Sequence, residues 1–417
     1  MTKISILCYD LSSNAFGRAY LLARLLQARY EVEIVGPARR GELWMPLSNN
    51  AEVECKRIPF AEGSASFKQL KRLMDLIDGD IIYASKPLFT SYLAGLLARK
   101  KRPIVLDIDD WEWGFTLERI RNGALFSQVR RWLRSIIFPY RMSGYFGAWI
   151  SQRLIPRADQ VTVSNDFLRA RFGGTVVPHG RDENAFVPEA WDQKELKKSY
   201  DIDPTKKVVM FFGTPRRYKG VEDLINAVAL IPNDRLVLAI VGADGQDQYG
   251  SLIARTADEV LGSRFKSFGT CPYERVAEFI ALSDIIVIPQ RRDVSTQGQM
   301  PAKVFDAMAM AKPIVATAVS DLPKVLDGCG WIVEPNSPQA LARALTEIMD
   351  DENEAKTRGM RARSEFLKRY SWTAIRPGLL SVFSRYEQSG DRKVSRLSPS
   401  HSTVRGVRTR RGSYSLT

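Results

Sequence analysis

The stretch that decides the fold is KVVMFFGTPRRYKG, residues 207–220, in which an apolar run ends at a glycine and passes into a basic turn. The run is short and apolar enough for a fully buried strand, and the turn leads into a helix. A strand, a glycine-containing turn and a helix in this order are typical of β-α-β units, whose strands lie parallel. This half of the chain is therefore expected to hold a parallel sheet.

The same alternation of short apolar runs and helical stretches extends in both directions along the chain. Further strands are expected after residue 207 at 236–241, 284–288, 313–317 and 330–333, and before it at 4–9, 32–36, 80–84, 103–108, 160–164 and 175–180. The pattern predicts an α/β protein of two Rossmann-like, doubly wound domains that face each other across a cleft. Ligands of such sheets bind beyond the carboxyl ends of the strands, so the loops there are the candidate site.

A chain of 417 residues is long enough for two such domains with extensions. We expect an amino-terminal domain over 1–187, a hinge in the polar stretch from Pro188 to Asp203, and a second domain over 188–369. Residues 370–388 predict an amphipathic helix that packs back on the first domain. Residues 389–417, rich in Ser, Arg and Gly, predict a disordered basic tail.

Composition narrows the class of protein. The chain is 45% hydrophobic and 26% charged, which is typical of a globular protein. The four cysteines form no C-x-x-C pair, which argues against a zinc module or a disulfide framework. No signal-peptide pattern and no apolar run of membrane-spanning length occurs, so the expected location is the cytoplasm, or the inner face of the cell membrane as a peripheral protein.

The net charge of +14 is concentrated in two segments. Residues 119–157 contain eight arginines and no acid, and residues 389–417 carry a net charge of +6, so the rest of the chain is neutral. A generally basic nucleic-acid-binding protein would distribute its charge differently, and no recognition motif accompanies it. We expect no nucleic-acid partner.

Two loops carry residues suited to a nucleotide. Between Gly213 and Gly220 lie three cations that, with backbone N–H groups, could bind a diphosphate, although the spacing is not that of a P-loop. The segment 295–309 is a polar loop that enters a helix and places Lys303 and Asp306 one turn apart, as a sugar or ribose site requires. Taken singly, each also fits a solvated surface turn or an ordinary helix ion pair.

Together these segments resemble the donor half of a family-4 glycosyltransferase. The resemblance covers roughly residues 205–372 and includes FGTCP at 268–272, SDIIVIP at 283–289, KVFDAMA at 303–309 and KPIVAT at 312–317. The first half is similar more weakly, through ADQVTVS at 158–164 and VPHGRD at 177–182. The resemblance implies the GT-B fold and transfer of a sugar from a nucleotide diphosphate donor, UDP- or GDP-linked, with retention and without a bound metal or other cofactor.

The resemblance also assigns roles to residues of the donor half. Lys219 would neutralise the leaving diphosphate, with Gly213, Thr214 and Gly269 around the donor. The arginine that normally follows the first glycine is replaced here by Thr214, so Arg216 or Arg217 would have to take its place.

The second departure concerns two glutamates of the family. The one that binds the donor ribose corresponds to Asp306, whereas the one that contacts sugar hydroxyls falls on Gly298, with no acid in its place. Gln297 and Gln299 could bind the sugar instead, and Lys303 could add a phosphate contact.

In the amino-terminal half, Asp109 occupies the place of a family histidine near the donor sugar, in the run DIDDWEW at 107–113. Asp109 or Asp110 is expected to bind substrate, to act in acid/base chemistry, or only to cap the following segment. Gly17 and Arg18 follow the first strand and could approach the diphosphate or the acceptor, or simply begin a helix. His179 is not expected to act as a base.

The basic segment 119–157 also contains an apolar stripe. On a helix Phe126, Val129, Trp132, Leu133 and Ile136 would share one face, with Arg130, Arg131 and Arg134 outside it. Such a helix could bind an anionic membrane surface, as a lipid-linked acceptor would require, or the stripe could pack on the amino-terminal sheet. The acceptor is expected to be a glycan or a lipid-linked molecule of cell-surface polysaccharide or glycolipid synthesis.

Three other functions stay open at this level. An epimerase or a sugar phosphorylase could share the fold, and the absence of an acid at Gly298 could indicate a non-catalytic relative. A basic nucleic-acid-binding protein is the alternative from another class.

The membrane hypothesis predicts that replacing Arg130, Arg131 and Arg134 by alanine weakens binding to anionic vesicles. Each basic residue near such a surface contributes about 1 kcal/mol, so a loss of roughly 100-fold in partitioning is expected. Cosedimentation with phosphatidylglycerol vesicles measures it. Unchanged sedimentation would mean that the stripe packs inside the protein.

Overall fold

The computed structural model describes residues 1–49, 52–60, 67–121, 129, 130, 133, 145–232, 234–243 and 247–394. It contains two parallel sheets, each flanked by helices on both faces. The seven-stranded sheet has the order β3-β2-β1-β4-β5-β6-β7, and the six-stranded sheet has the order β10-β9-β8-β11-β12-β13. The predicted α/β fold of two Rossmann-like domains is confirmed.

The strands of the first sheet are β1 Lys3–Cys8, β2 Glu31–Arg39, β3 Glu54–Phe60, β4 Ile81–Ser85, β5 Ile104–Ile108, β6 Gln160–Val163 and β7 Thr175–Val176. Those of the second are β8 Lys207–Phe212, β9 Leu236–Val241, β10 Phe265–Phe268, β11 Ile285–Ile288, β12 Ile314–Thr317 and β13 Trp331–Val333. Strand order reverses between β1 and β4 and between β8 and β11. These reversals are where parallel sheets form ligand crevices.

The helices of the first domain are α1 Ala15–Leu26, α2 Phe67–Asp75, α3 Ala94–Ala98, α4 Glu112–Arg121, α5 Tyr145–Leu154 and α6 Asp166–Phe172. Those of the second are α7 Gln193–Ser199, α8 Val221–Ala229, α9 Gln248–Leu261, α10 Val276–Leu282, α11 Lys303–Ala309, α12 Leu322–Val325, α13 Pro338–Asp350 and α14 Glu352–Arg369. The last helix, α15, is Trp372–Val394.

Two strands that the apolar pattern did not predict lie at edges of the sheets. Strand β3 borders only β2, and β10 borders only β9. In β3 only Ile58 and Phe60 are buried, and Pro59 lies between them. An edge strand has one neighbour, so it can be polar and can tolerate a proline, and the sequence then lacks the continuous apolar run of a central strand.

The chain crosses between the domains at two adjacent places. Residues 177–181 leave the first sheet beside residues 370–372, where Arg181 N–H donates to Tyr370 O at 3.2 Å and Trp372 N–H donates to Arg181 O at 2.9 Å. The crossing precedes the hinge expected at Pro188 to Asp203, because Phe186 is already buried in the core of the second domain.

Helix α15 returns to the first domain. Its buried side chains Trp372, Ile375, Leu379, Val382 and Phe383 join the core formed by β1, α1 and β4. The Phe383 ring lies 5.1 Å from that of Tyr83 on β4. The helix ends at Val394 and so includes the first residues assigned to the tail; the rest of the predicted tail, 395–417, lies outside the described residues. No helix in the described part of the chain is both long and apolar enough to span a membrane.

Candidate active site

A cavity of about 310 Å³ lies between the carboxyl ends of the two sheets. Both domains line it. The first contributes the start of α1, the loop after β2 and the loop after β5; the second contributes the loops after β8, β9 and β11 and the start of α11. The cavity therefore lies where both strand orders reverse.

Ten of the residues expected at the site line this cavity. They are Gly17, Arg18, Asp109, Asp110, Gly213, Thr214, Lys219, Gln299, Lys303 and Asp306. The other five, Arg216, Arg217, Gly269, Gln297 and Gly298, are not among the lining residues. The turn 213–220 and the helix beginning at Lys303 thus meet, although more than 80 positions separate them.

Lys219 and Lys303 are the cations of the donor half that line the cavity. Lys219 Nζ donates to Thr214 O at 2.7 Å, and Lys303 Nζ lies 4.3 Å from the centre of the Phe211 ring. A Cβ atom at Gly213 would lie 3.0 Å from Lys303 Nζ, so the glycine lets this amine approach the turn. Neither lysine forms an ion pair with another described residue.

The pKa values of both lysines are lowered, as expected for amines that lack an acidic partner. Burial, and secondarily repulsion by Arg216, lowers the pKa of Lys219 to about 8, although Asp110 acts in the opposite direction. Burial together with repulsion by Lys219 lowers the pKa of Lys303 well below its usual value. Two half-buried amines that repel each other form a site that an anion would stabilise.

Arg216 and Arg217 lie at the outer side of the turn. Arg216 forms an ion pair with Asp247 and donates to Pro215 O at 2.8 Å. The Arg217 guanidinium lies 5.7 Å from the centre of the Tyr249 ring. In this arrangement Arg216 acts on the cavity through its charge, which lowers the pKa of Lys219, and the role expected of either arginine as a direct ligand stays a prediction.

Asp306 is buried beneath the cavity and forms an ion pair with Arg181. Burial raises its pKa, and Arg181 partly offsets the effect. Arg181 belongs to the crossing segment, so the linker between the domains supplies a cation to the donor half. The sequence contained Arg181 in the motif VPHGRD, but nothing in its spacing indicated an aspartate partner.

On the opposite wall, Asp109 and Asp110 follow β5 and surround Lys86, which follows β4. Lys86 Nζ lies 2.9 Å from Asp109 Oδ1, 2.7 Å from Asp110 Oδ2 and 2.9 Å from Glu112 Oε1. The three carboxylates are close enough together to share one cation, and the Lys86 ammonium lies among them. Burial alone would lower the pKa of Lys86, but these acids raise it well above its usual value.

The two aspartates differ in their titration. Burial, reinforced by Asp109 and Glu112, raises the pKa of Asp110 to about 6 in spite of Lys86. For Asp109 the effect of burial is exceeded by Lys86 and other cations, which lower its pKa. Lys86 was missed in the sequence, although its place directly after a strand is where polar site residues are expected.

Arg18 and His179 also line the cavity. The guanidinium of Arg18 is hydrogen-bonded within the first domain, and the imidazole of His179 is neutral. The Arg18 guanidinium donates to both Asp107 oxygens at 2.8 and 2.9 Å and to the carbonyls of Val177 and Pro178. Arg18 thereby fixes the turn that carries His179. Burial and the charge of Arg18 lower the pKa of His179 to about 3, so this histidine is neutral near pH 7.

Gly298 lies against the first domain. A Cβ atom there would be 2.6 Å from Trp111 Cβ and 3.4 Å from Phe167 Cε1, and Asn165 Nδ2 donates to Gly298 O at 3.1 Å. The absence of a side chain at this position is therefore a requirement of interdomain packing, and it does not by itself indicate a loss of activity.

Further contacts join the domains around the cavity. The rings of Phe115 and Tyr218 lie 5.9 Å apart, and those of Tyr20 and Tyr273 lie 6.0 Å apart. Val294 N–H donates to Glu118 Oε2 at 3.1 Å. These contacts span the cleft on more than one side of the cavity.

Comparison with known proteins agrees with this geometry. Residues 192–365 match the profile of the family Glycosyl transferases group 1. The chain is 30% identical over 149 residues to the probable glycosyltransferase WbjE of Pseudomonas aeruginosa, covering 35% of this chain and 36% of the relative. It is 29% identical over 219 residues to the D-inositol 3-phosphate glycosyltransferase of Corynebacterium aurimucosum, covering 50% of each. The chain thus spans between about a third and a half of the length of these relatives.

Solved structures match over nearly the whole chain. HepE of Anabaena in complex with UDP-glucose superimposes with a TM-score of 0.72 at 17% identity, covering 92% of this chain and 100% of that one. Sucrose-phosphate synthase of Thermosynechococcus elongatus gives a TM-score of 0.69 at 18% identity, covering 94% and 100%. These similarities define the fold as GT-B. The family profile covers about two fifths of the chain, and the GT-B fold agrees with the fold that the sequence resemblance implied.

The packing at Gly298 predicts a specific sensitivity to a single methyl group. Gly298→Ala should destabilise the protein by about 1–3 kcal/mol, because the new Cβ overpacks the contact with Trp111. Gly269→Ala is the matched control, since a Cβ atom there meets nothing within 4 Å. Urea unfolding of both variants measures the difference. Equal stability would contradict the close interdomain contact.

Proposed function

We propose that this protein is a glycosyltransferase that moves a sugar from a UDP- or GDP-sugar to a glycan or lipid-linked acceptor, with retention of the anomeric configuration. The observation that supports this best is the pair of half-buried lysines, Lys219 and Lys303, which line the cavity without an acidic partner among the described residues. Burying a charge without a partner is costly, and a diphosphate would supply the missing negative charge. The match to the profile of glycosyl transferases group 1 and the UDP-glucose complex of HepE favour a nucleotide-sugar donor.

The residues that line the cavity can be grouped by the part of the substrates that they would contact: the diphosphate, the ribose or the acceptor. Lys219 and Lys303, with the backbone of Gly213 and Thr214, would bind the diphosphate and stabilise the charge that develops on it as the sugar leaves. Asp306, held by Arg181, would accept hydrogen bonds from ribose hydroxyls. Gly17, Arg18 and Asp110 border the acceptor side, and Asp109 is the candidate acid/base residue.

We further propose that the reaction needs no resident metal or other cofactor. Metal-dependent transferases use a divalent cation to neutralise the departing diphosphate, and here two lysine amines are placed to do so. Arg216 adds positive charge nearby. The retaining outcome is carried over from the family resemblance alone.

The protein would work at the inner face of the cell membrane as a peripheral protein. Within the basic segment the described residues Val129 and Leu133 are four positions apart in the sequence and are 51% and 56% exposed, and Arg130 is exposed as well. These two apolar side chains are therefore available to a lipid surface. Phe126, Trp132, Ile136, Arg131 and Arg134 lie outside the described residues.

Nucleotide binding tests the proposed function directly. The protein should bind UDP or GDP in calorimetry, and Lys219→Ala should weaken that binding by roughly 10- to 100-fold, the value of a lost charge-assisted hydrogen bond. Lys356→Ala, which removes an exposed lysine of the same domain, should leave the affinity unchanged. Absence of affinity for both nucleotides would refute the donor site. A panel of nucleotide sugars, assayed for hydrolysis and transfer, would then identify the sugar.

The low pKa of Lys219 predicts how this affinity depends on pH. The free amine loses its proton near pH 8, whereas the bound diphosphate favours the protonated form, so binding should take up a proton above that pH. We expect the affinity to fall by up to roughly tenfold per pH unit above 8. Calorimetry between pH 7 and 9, in buffers of different ionisation enthalpy, measures both the affinity and the number of protons taken up on binding.

Lys219→Arg is the control for this pH dependence, because a guanidinium stays protonated throughout the range. Its affinity should fall less steeply above pH 8 than that of the wild type. Equal slopes in the two proteins would show that another group titrates.

A further inference from the structure

The space that a side chain at Gly298 would occupy is filled by the segment that carries Asp110. A Cβ atom at Gly298 would lie 2.6 Å from Trp111 Cβ and 3.2 Å from Trp111 N, and Asp110 is the residue bonded to that nitrogen. The donor half thus lacks a carboxylate at Gly298, which does not line the cavity, and the first domain places Asp110, which does line it, next to this contact. The donor-sugar region is consequently built from both domains.

Asp110 and Lys219, the amine expected to bind the diphosphate, line the same cavity. The negative charge of Asp110 acts to raise the pKa of Lys219, which agrees with this placement. The transferred sugar is bonded directly to the diphosphate. A carboxylate in the same cavity as Lys219 would therefore be within reach of the sugar.

Asp109 is a second carboxylate on this wall. It lines the cavity, is only 5% exposed, and its Oδ1 lies 2.9 Å from Lys86 Nζ. A carboxylate has about four lone-pair sites, so one ammonium partner leaves sites for further donors. Sugar hydroxyls are donors of the required kind.

The charge of this wall is negative. Lys86 is shared by Asp109, Asp110 and Glu112, so the group of four has a net charge of −2 when all are ionised. Facing it are amides, since Gln290 is 2% exposed and its Nε2 donates to Gln299 Oε1 at 3.3 Å. The surroundings offer acceptors and neutral amides to the sugar, and a carboxylate on the sugar would meet like charge.

We propose that Asp109 and Asp110 bind hydroxyl groups of the transferred sugar, and that their charge restricts the donor to uncharged sugars and excludes uronic acids. This inference rests on the proposed function, because it assumes a nucleotide-sugar donor on Lys219 and Lys303. It gives Asp110 a role toward the donor in place of the acceptor-side role expected from the sequence, and it gives Asp109 a sugar-binding role in place of the acid/base role.

Calorimetry with sugar nucleotides and the free nucleotides tests the proposal. The wild type should bind UDP-glucose or GDP-mannose, whichever base it prefers, at least roughly tenfold more tightly than UDP-glucuronate, since like charge opposes the latter. Asp110→Asn should lose roughly tenfold in affinity for the neutral sugar nucleotide while keeping that for UDP or GDP within about twofold. The same variant should also reduce the difference in affinity between UDP-glucose and UDP-glucuronate.

Glu112→Gln is the matched control. Glu112 contacts the same lysine at 2.9 Å but is not among the residues that line the cavity, so its variant should change the preference less than Asp110→Asn does. Asp109→Asn serves as a second variant, with thermal melting used to confirm that each protein is folded. If Asp110→Asn misfolds, the result with Asp109→Asn decides.

The outcomes separate this inference from the proposed function. If the wild type binds neither UDP nor GDP, the proposed function itself fails. If the wild type binds a nucleotide but binds UDP-glucuronate as tightly as UDP-glucose, the inference is overturned while the donor site stands. The same conclusion follows if folded variants at Asp109 and Asp110 keep the wild-type ratio between the affinity for the sugar nucleotide and the affinity for the free nucleotide. The same holds if Glu112→Gln changes the ratio as much as Asp110→Asn.

Discussion

The docking of the last helix on the first domain is the constraint on which the rest of the structure depends. Helix α15 buries Trp372, Ile375, Leu379, Val382 and Phe383 against the core of a domain that precedes it by some 200 residues. Each such side chain contributes about 1.5–3 kcal/mol when fully buried. The helix thereby fixes the crossing at 177–181, where Arg181 pairs through its backbone with residues 370–372 and through its side chain with Asp306. Arg181 thus connects the arrangement of the domains with Asp306, which lines the cavity.

Electrostatic balance in the cavity follows from the same arrangement. The second domain contributes two lysines that lack acidic partners, and the first contributes three carboxylates that share one lysine. Each wall therefore carries an unbalanced charge of opposite sign, and the pKa values of Lys219 and Asp110 shift in the directions that burial of such charges requires. The proposed nucleotide-sugar donor, which is anionic at one end and rich in hydroxyl groups at the other, would meet groups of opposite charge or hydrogen-bond acceptors on the two walls. This complementarity is why the site is better described as one surface built from two domains than as a donor half and an acceptor half.

Much of the fold could be predicted from local patterns. Central strands such as β5 and β9 are continuous apolar runs because they are buried on both faces, whereas the edge strands β3 and β10 were missed because half of their surface can stay polar. Among the site residues, Lys219, Lys303 and Asp306 were predictable because they lie at the carboxyl ends of strands or at the start of a helix. Lys86 also lies at the carboxyl end of a strand, but it was not selected from the sequence. At Gly298 the sequence showed only that the glutamate of the family is absent, and not that the position contacts the first domain.

By itself the sequence determined the alternation of strands and helices, the two-domain α/β class and the loops that hold the charged residues, because these depend on side-chain periodicity over a few positions. Only the tertiary structure decided which of those residues meet. Arg181 and Asp306 are 125 positions apart, and Asn165 and Gly298 are 133 apart. Such contacts depend on how two independently patterned domains are held together, and the physical reason lies in the packing of α15 and in the absence of a side chain at Gly298.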